Sequence, residues 1–186
     1  MSAREFAPAR LDVEAFANQG AELAGRDPVS RLDRLASSLA SEDGAPEVAT
    51  EVEWRARGER RVLRGEAQVW LHLEAHAKLP LECQRCLMPV IVAVDVERSL
   101  RFVHGEDAAA QIDADSEDDV LALTRALDLH GLIEDELMLA LPLVPRHEHC
   151  PEPLTAAVAM DDVDADGGKP NPFAALAALK GRGLLN

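Results

Sequence analysis

Ala67-Gln68-Val69-Trp70-Leu71-His72-Leu73-Glu74-Ala75-His76-Ala77-Lys78-Leu79-Pro80-Leu81 runs, after Glu82, straight into Cys83-Gln84-Arg85-Cys86-Leu87. Ala67, Val69, Leu71, Leu73, Ala75, Ala77 and Leu79 share one parity, and Gln68, Trp70, His72, Glu74, His76 and Lys78 share the other. A period of two marks a strand with one apolar and one wet face, because successive side chains point to opposite sides of the pleat. The same period appears upstream, where Val48, Thr50, Val52, Trp54 and Ala56 alternate with Ala49, Glu51, Glu53, Arg55 and Arg57. It returns over 89–103, with Val90, Val92, Val94, Val96, Leu100 and Phe102 in phase. Gly58-Glu59-Arg60-Arg61 is expected to turn the first run into the second. The C-x-x-C lies between the second and third. Long runs with short connections predict an antiparallel sheet, one face apolar and one largely wet.

On either side of this sheet the period changes. Leu11, Val13, Phe16 and Leu23 follow a helical stripe broken near Gly20, and Asp27-Pro28 opens a second helical piece through Leu32, Leu35 and Leu39. The stretch 41–46 reads as a linker. Acids crowd 106–119 without a lysine or arginine, which predicts a solvated loop; the ligand spacing of a calcium loop is absent. From Asp128, Leu129, Leu132, Ile133, Leu137, Met138 and Leu141 form a broad helical stripe, with Glu134, Asp135 and Glu136 expected to point outward and Pro142 to stop the helix. Residues 151–168 read as an acidic tether. Asn171-Pro172-Phe173 opens a short C-terminal helix through Leu176 and Leu179, with Asn as cap and Pro in the first turn. The expected class is α+β: an antiparallel sheet with packed helices and acidic flexible segments. Its expected parts are an N-terminal helical segment (1–46), a sheet core (47–150), and a tether with a docking helix (151–186).

The charge balance limits what the chain can bind. With 34 acidic and 19 basic residues the net charge is -15, so the surface repels nucleic acid and anionic membrane on average, and any RNA contact has to be local. No apolar run approaches the roughly 18 residues of a membrane span. The N-terminus lacks the apolar stretch of a signal peptide, and three cysteines make a poor secreted disulfide framework, so a cytoplasmic chain with reduced thiols is expected. No glycine-rich phosphate loop or small-molecule substrate motif is present.

Those cysteines fall in two pieces. Cys83 and Cys86 stand two residues apart, and Cys150 closes Arg146-His147-Glu148-His149-Cys150. A C-x-x-C turn places two sulfurs on one side of a knuckle, and a second segment can complete a tetrahedral structural zinc site. His147 is the better fourth ligand, because H-x-x-C repeats the spacing of the first pair, whereas His149 adjoins Cys150. The alternative reading is three ordinary thiols with two surface histidines. A redox C-x-x-C needs a low-pKa thiol at a helix N-terminus, while this motif lies between strands.

One basic cluster stands against the acidic background: Arg55, Arg57, Arg60, Arg61 and Arg64 on the first hairpin. On a wet sheet face they would meet phosphates, with Trp70 as a stacking surface. The alternative is a solvated hairpin that pairs with Glu51, Glu53, Glu59 and Glu66.

Three blocks, in order, resemble the bacterial YceD family, the large ribosomal RNA subunit accumulation proteins. They are Cys83-Gln84-Arg85-Cys86-Leu87; Ile133-Glu134-Asp135-Glu136-Leu137-Met138-Leu139-Ala140-Leu141-Pro142 with Val144-Pro145-Arg146-His147; and Lys169-Pro170-Asn171-Pro172-Phe173-Ala174-Ala175-Leu176 with Leu179-Lys180. The resemblance implies a non-enzymatic role in synthesis, processing or stability of large-subunit (23S) ribosomal RNA, and it supplies no mechanism. The expected partners are that RNA or a basic ribosomal or assembly protein. Relatives with a second cysteine pair near the C-terminal cluster differ from this chain, which pairs a histidine with one cysteine there. A thiol redox enzyme using Cys83 and Cys86 and a protein-only binding adaptor are the competing readings.

Overall fold

The computed structural model describes residues 5–40, 50–63 and 65–151. The alternating runs form its centre. Strands β2 (Glu51–Leu63), β3 (Glu66–Glu82) and β4 (Pro89–Val103) pair antiparallel in chain order. Val52 lies opposite Ala77, Trp54 opposite Ala75 and Ala56 opposite Leu73; across the next ladder Leu71 faces Leu100 and Ala77 faces Val94. These side chains are buried on one face of the sheet, while Glu53, Arg55, Glu74, His76, Asp95 and Glu97 stand exposed on the other.

Two edge strands complete the sheet, and both correct an expectation. β1 (Glu22–Pro28) pairs antiparallel with β2, although these residues read as parts of two helices. Their period was hidden because Asp27, at an inward position, is polar: its buried carboxylate accepts hydrogen bonds from Trp54 Nε1 at 2.7 Å and Arg31 at 2.6 Å. The acidic stretch read as a loop contains helix α3 (Glu106–Asp115) and strand β5 (Asp119–Ala122), which pairs parallel with β4. Asp113 on α3 accepts the Val120 backbone N–H at 3.0 Å, so one acid in that stretch ties helix to strand. The sheet is therefore five-stranded and mixed, in the order β1-β2-β3-β4-β5.

Gly58-Glu59-Arg60-Arg61 is not the turn. The β2–β3 ladder continues to Leu63 opposite Glu66, and Gly65, at a φ of 87°, lies in the turn. Gly58 has another role: a Cβ there would sit 2.7 Å from Phe16 Cδ1 and 2.8 Å from the Ala17 backbone. The missing side chain lets helix α1 (Val13–Asn18) cross directly over β2.

Helices cover the apolar face. Asp12 caps α1 by accepting the Ala15 N–H at 3.0 Å, and Val13, Phe16 and Ala17 are buried. Helix α4 (Leu129–Ala140) begins at Asp128, whose carboxylate accepts the His130 and Gly131 N–H groups, and it buries Leu129, Ile133 and Leu137. Pro142 follows its C-cap, Leu141, as expected.

Glu134 departs from the outward position that consecutive acids suggested. It is buried, and its carboxylate accepts the backbone N–H groups of Arg34 at 2.8 Å and Leu35 at 3.2 Å, with the Arg34 guanidinium at 2.8 Å. Helix α2 (Asp33–Ser37) has no side-chain cap at its own N-cap residue, Leu32, so Glu134 supplies one from a distant part of the chain. The linker 41–46, the C-terminal helix from Asn171 and all but the first residue of the tether lie outside the described residues.

Burial pushes the Glu134 carboxyl up, but Arg34 and the Leu35 and Arg34 N–H groups outweigh it and hold it below the ordinary glutamate range. The folded state therefore gains stability above the ordinary glutamate pKa and loses it as pH falls through the lowered value. Glu134→Gln is expected to lower stability by about 2 kcal/mol at neutral pH, and the deficit should shrink in acid denaturant titrations. Gly58→Ala is expected to cost about 1–3 kcal/mol by overpacking, read from the same unfolding midpoints.

Candidate metal centre and basic hairpin

The residues after β3 form a tight knuckle. The Cys83 N–H donates to the Met88 carbonyl at 3.0 Å, and the Leu87 N–H returns to the Cys83 carbonyl at 2.8 Å. Closing this loop puts Leu87 at a φ of 62°, a left-handed conformation that costs a branched residue roughly 1–2 kcal/mol. The Gln84 N–H then donates to the Pro145 carbonyl at 2.9 Å, which docks the segment after α4 against the knuckle.

That docking brings together Cys83, Cys86, His147 and Cys150, whose ligand atoms all lie within 4.8 Å of one another; the group can hold a metal ion. A zinc–sulfur bond of about 2.3 Å puts tetrahedral sulfurs roughly 3.8 Å apart. Cys83 Sγ and Cys150 Sγ are 3.9 Å apart, and Cys86 Sγ is 3.4 Å from His147 Nδ1. The other imidazole nitrogen, Nε2, lies 3.0 Å from the Pro89 carbonyl. Donation to that oxygen places the proton on Nε2 and leaves Nδ1 as a lone-pair donor aimed at the sulfurs. His149 is not in the group.

Arg85, inside the knuckle, reaches across to the second segment. Its Nε donates to Cys150 Sγ at 3.0 Å, and one Nη donates to the His147 and Glu148 carbonyls at 3.0 and 3.3 Å. The guanidinium thus stands where three thiolates would carry excess negative charge. Burial pushes the Cys83 thiol up, but backbone N–H groups of His147, Arg85 and Cys86 outweigh it and bring it down to about 5. Burial, together with the neighbouring sulfurs, pushes Cys86 up to about 11. Without a cation, one thiolate suppresses the next; a bound divalent ion reverses that order by stabilising them all. Cys83 is wholly buried, so it offers no open face for thiol exchange.

The arginines behave differently from one another. Arg55 pairs with Glu22 at 3.1 Å, and Arg57 and Arg61 share Glu59 at 3.8 and 2.8 Å. Arg60 has no carboxylate at ion-pairing distance among the described residues, and Arg64 lies outside them. Trp70 is not an open stacking surface. It is 6% exposed, its Nε1 donates to Gln68 at 3.1 Å, and the Arg61 guanidinium covers its ring at 4.7 Å. Arg85 is a site residue that the sequence does not single out, because inside the motif it signals only surface charge.

A small α+β domain whose sheet end is clasped by a three-cysteine, one-histidine group is the class of protein defined here. Residues 71–180 match the family model described as Large ribosomal RNA subunit accumulation protein YceD, and the chain belongs to that family. One similar protein is Large ribosomal RNA subunit accumulation protein YceD of Haemophilus influenzae, 36% identical over 121 residues, a match covering 64% of this chain and 65% of that protein. The chain thus spans just under two thirds of that relative. No solved structure matches it.

Removing the Arg85 clasp tests the geometry directly. Arg85→Met is expected to speed exchange of the His147 amide, which points at Cys83 Sγ at 3.5 Å, by about tenfold. Hydrogen-exchange mass spectrometry of the 146–150 segment measures it.

Proposed function

We propose that this chain acts, without catalysis of its own, in the accumulation of large-subunit ribosomal RNA, and that a structural zinc ion held by Cys83, Cys86, His147 and Cys150 joins the sheet end to the segment after α4. Family membership over residues 71–180 carries the first part, supported by the name of the Haemophilus influenzae relative. The convergence of four ligand atoms within 4.8 Å carries the second. Zinc in such a site supplies folding energy, and four protein ligands leave no open position for a reacting water.

The net charge of -15 favours two kinds of contact: a basic ribosomal or assembly protein, or RNA at a local basic point. A cytoplasmic site of action follows from that role; among the described residues no helix is long and apolar enough to cross a membrane. A protein-only adaptor is the second reading, favoured by the acidic surface. Gel shifts with ribosomal RNA across a salt series separate the two, since only direct phosphate contact gives a linear loss of log affinity with log salt.

Deleting the gene is expected to lower the ratio of large- to small-subunit ribosomal RNA, and re-expression to restore it; an unchanged ratio removes the proposed role. Purified protein is expected to carry one zinc per chain by elemental analysis. His147→Ala and Cys83→Ser should lose it, and His149→Ala should keep it. Cobalt in place of zinc should show the visible bands of a tetrahedral sulfur site.

A further inference from the structure

On the sheet face turned away from α1, the side chains change character toward the β2–β3 turn. Gly58 lies under α1, so Glu59, next along β2, points the other way. The ladders set Glu59 opposite Trp70 and Trp70 opposite Arg101, which puts the three in one row on that face. Arg61 and Gln68 form the next row on the same face. A cleft of about 530 Å³ opens in front of both rows, lined by Arg61, Gln68, Trp70 and Arg101, with Glu59 and Asp118 as the acids on its wall.

The two guanidinium groups of this cleft are in different states. The Arg61 group stands over the Trp70 ring at 4.7 Å, and its Nε and one Nη donate to Glu59 at 2.8 and 3.1 Å. The indole below and the carboxylate beside it hold it in place, yet the side chain is 45% exposed, so its outer side faces water. Arg101 Nε is buried without a hydrogen-bond acceptor, and it is the one such side-chain nitrogen or oxygen among the described residues. A buried N–H left unpaired is costly, and an incoming anionic oxygen recovers that cost. Glu59 does not serve it, because that carboxylate is already engaged by Arg61, by His72 at 2.8 Å and by Arg57 at 3.8 Å. Asp118 is the remaining acid that an incoming anion meets.

We propose that one nucleotide of single-stranded RNA seats in this cleft, its phosphate accepting from Arg101 and its base lying against the outer side of the Arg61 guanidinium. The inference rests on the RNA role proposed above and gives it a location. Trp70 is on the strand next to that of Arg101, about 4.8 Å away. The layer above its ring therefore adjoins the Arg101 side chain, and one nucleotide spans such a gap between phosphate and base. Guanidinium groups both donate to phosphate oxygens and stack on bases, whereas a carboxylate-bearing peptide offers the anion without the base. With a net charge of -15 the surface repels a polyanion on average, which confines contact to a local point of this kind.

The test is a titration of the isotope-labelled full chain with a short single-stranded oligoribonucleotide, followed by nuclear magnetic resonance. The Nε–H signals of Arg101 and Arg61 and the Trp70 indole N–H are expected to shift together. Arg101→Gln should weaken binding about tenfold and reduce the salt slope by about 0.7. Arg61→Lys keeps the charge and loses the plane, so it should weaken binding several-fold and leave the slope unchanged. Asp118→Asn should tighten binding, and it keeps the assignment open to refutation if Arg101→Gln fails to fold. Arg60→Gln, an exposed change on the opposite face, should alter neither affinity nor slope. An unmoved Arg101 signal, or a loss with Arg60→Gln equal to that with Arg61→Lys, overturns the assignment. So does an equal response to inorganic phosphate alone, which marks a free-anion site, or a response to an acidic peptide and not to RNA. Failure of the cellular role is read separately, from the ribosomal RNA ratio after gene deletion.

Discussion

The register of β3 is the constraint from which the rest follows. Leu71, Leu73, Ala77 and Leu79 are fully buried on one face, while Glu74, His76 and Lys78 on the other are exposed. A slip of one residue would exchange the two sets and drive charges into the core, so the pairing with β2 and β4 has one acceptable alignment. That alignment sets small residues beside large ones. Trp54 lies between Gly25 and Ala75, and a Cβ on Gly25 would come within 2.5 Å of its ring. The same alignment decides where β3 ends, and therefore where the C-x-x-C knuckle stands.

Packing helices against one face of the sheet leaves polar groups to satisfy, and two buried carboxylates serve there. Glu134 caps α2 from α4. Asp27 receives Trp54 and Arg31, with His130 Nε2 of α4 at 3.3 Å. Neither acid looked inward in the linear pattern. Glu134 joins α4 to α2, and Asp27 joins β1 to Trp54 of β2 and to α4; each costs more to remove than an exposed ion pair would.

The metal group and the hairpin tip sit at opposite ends of the sheet. The knuckle follows the C-terminal end of β3, and the projecting turn precedes its N-terminal end. In the proposed reading one end is held by metal ligands and the Arg85 clasp, while the other projects past the β3–β4 ladder. The net charge of -15 works against broad coating of RNA.

By itself the sequence determined the three long strands, the α4 stripe with its Asp128 start and Pro142 stop, and the identity of four candidate ligands. Those features are local: a period of two, a period near 3.6, or a short spacing of soft ligands can be read without knowing what packs where. Only the tertiary structure decided that Glu22–Pro28 is an edge strand, that an acidic stretch folds into α3 and β5, and that Gly58 serves a helix crossing rather than a turn. It also decided that Glu134 points inward. Each of these depends on a neighbour distant in the chain, and no local pattern records what a side chain will meet after folding.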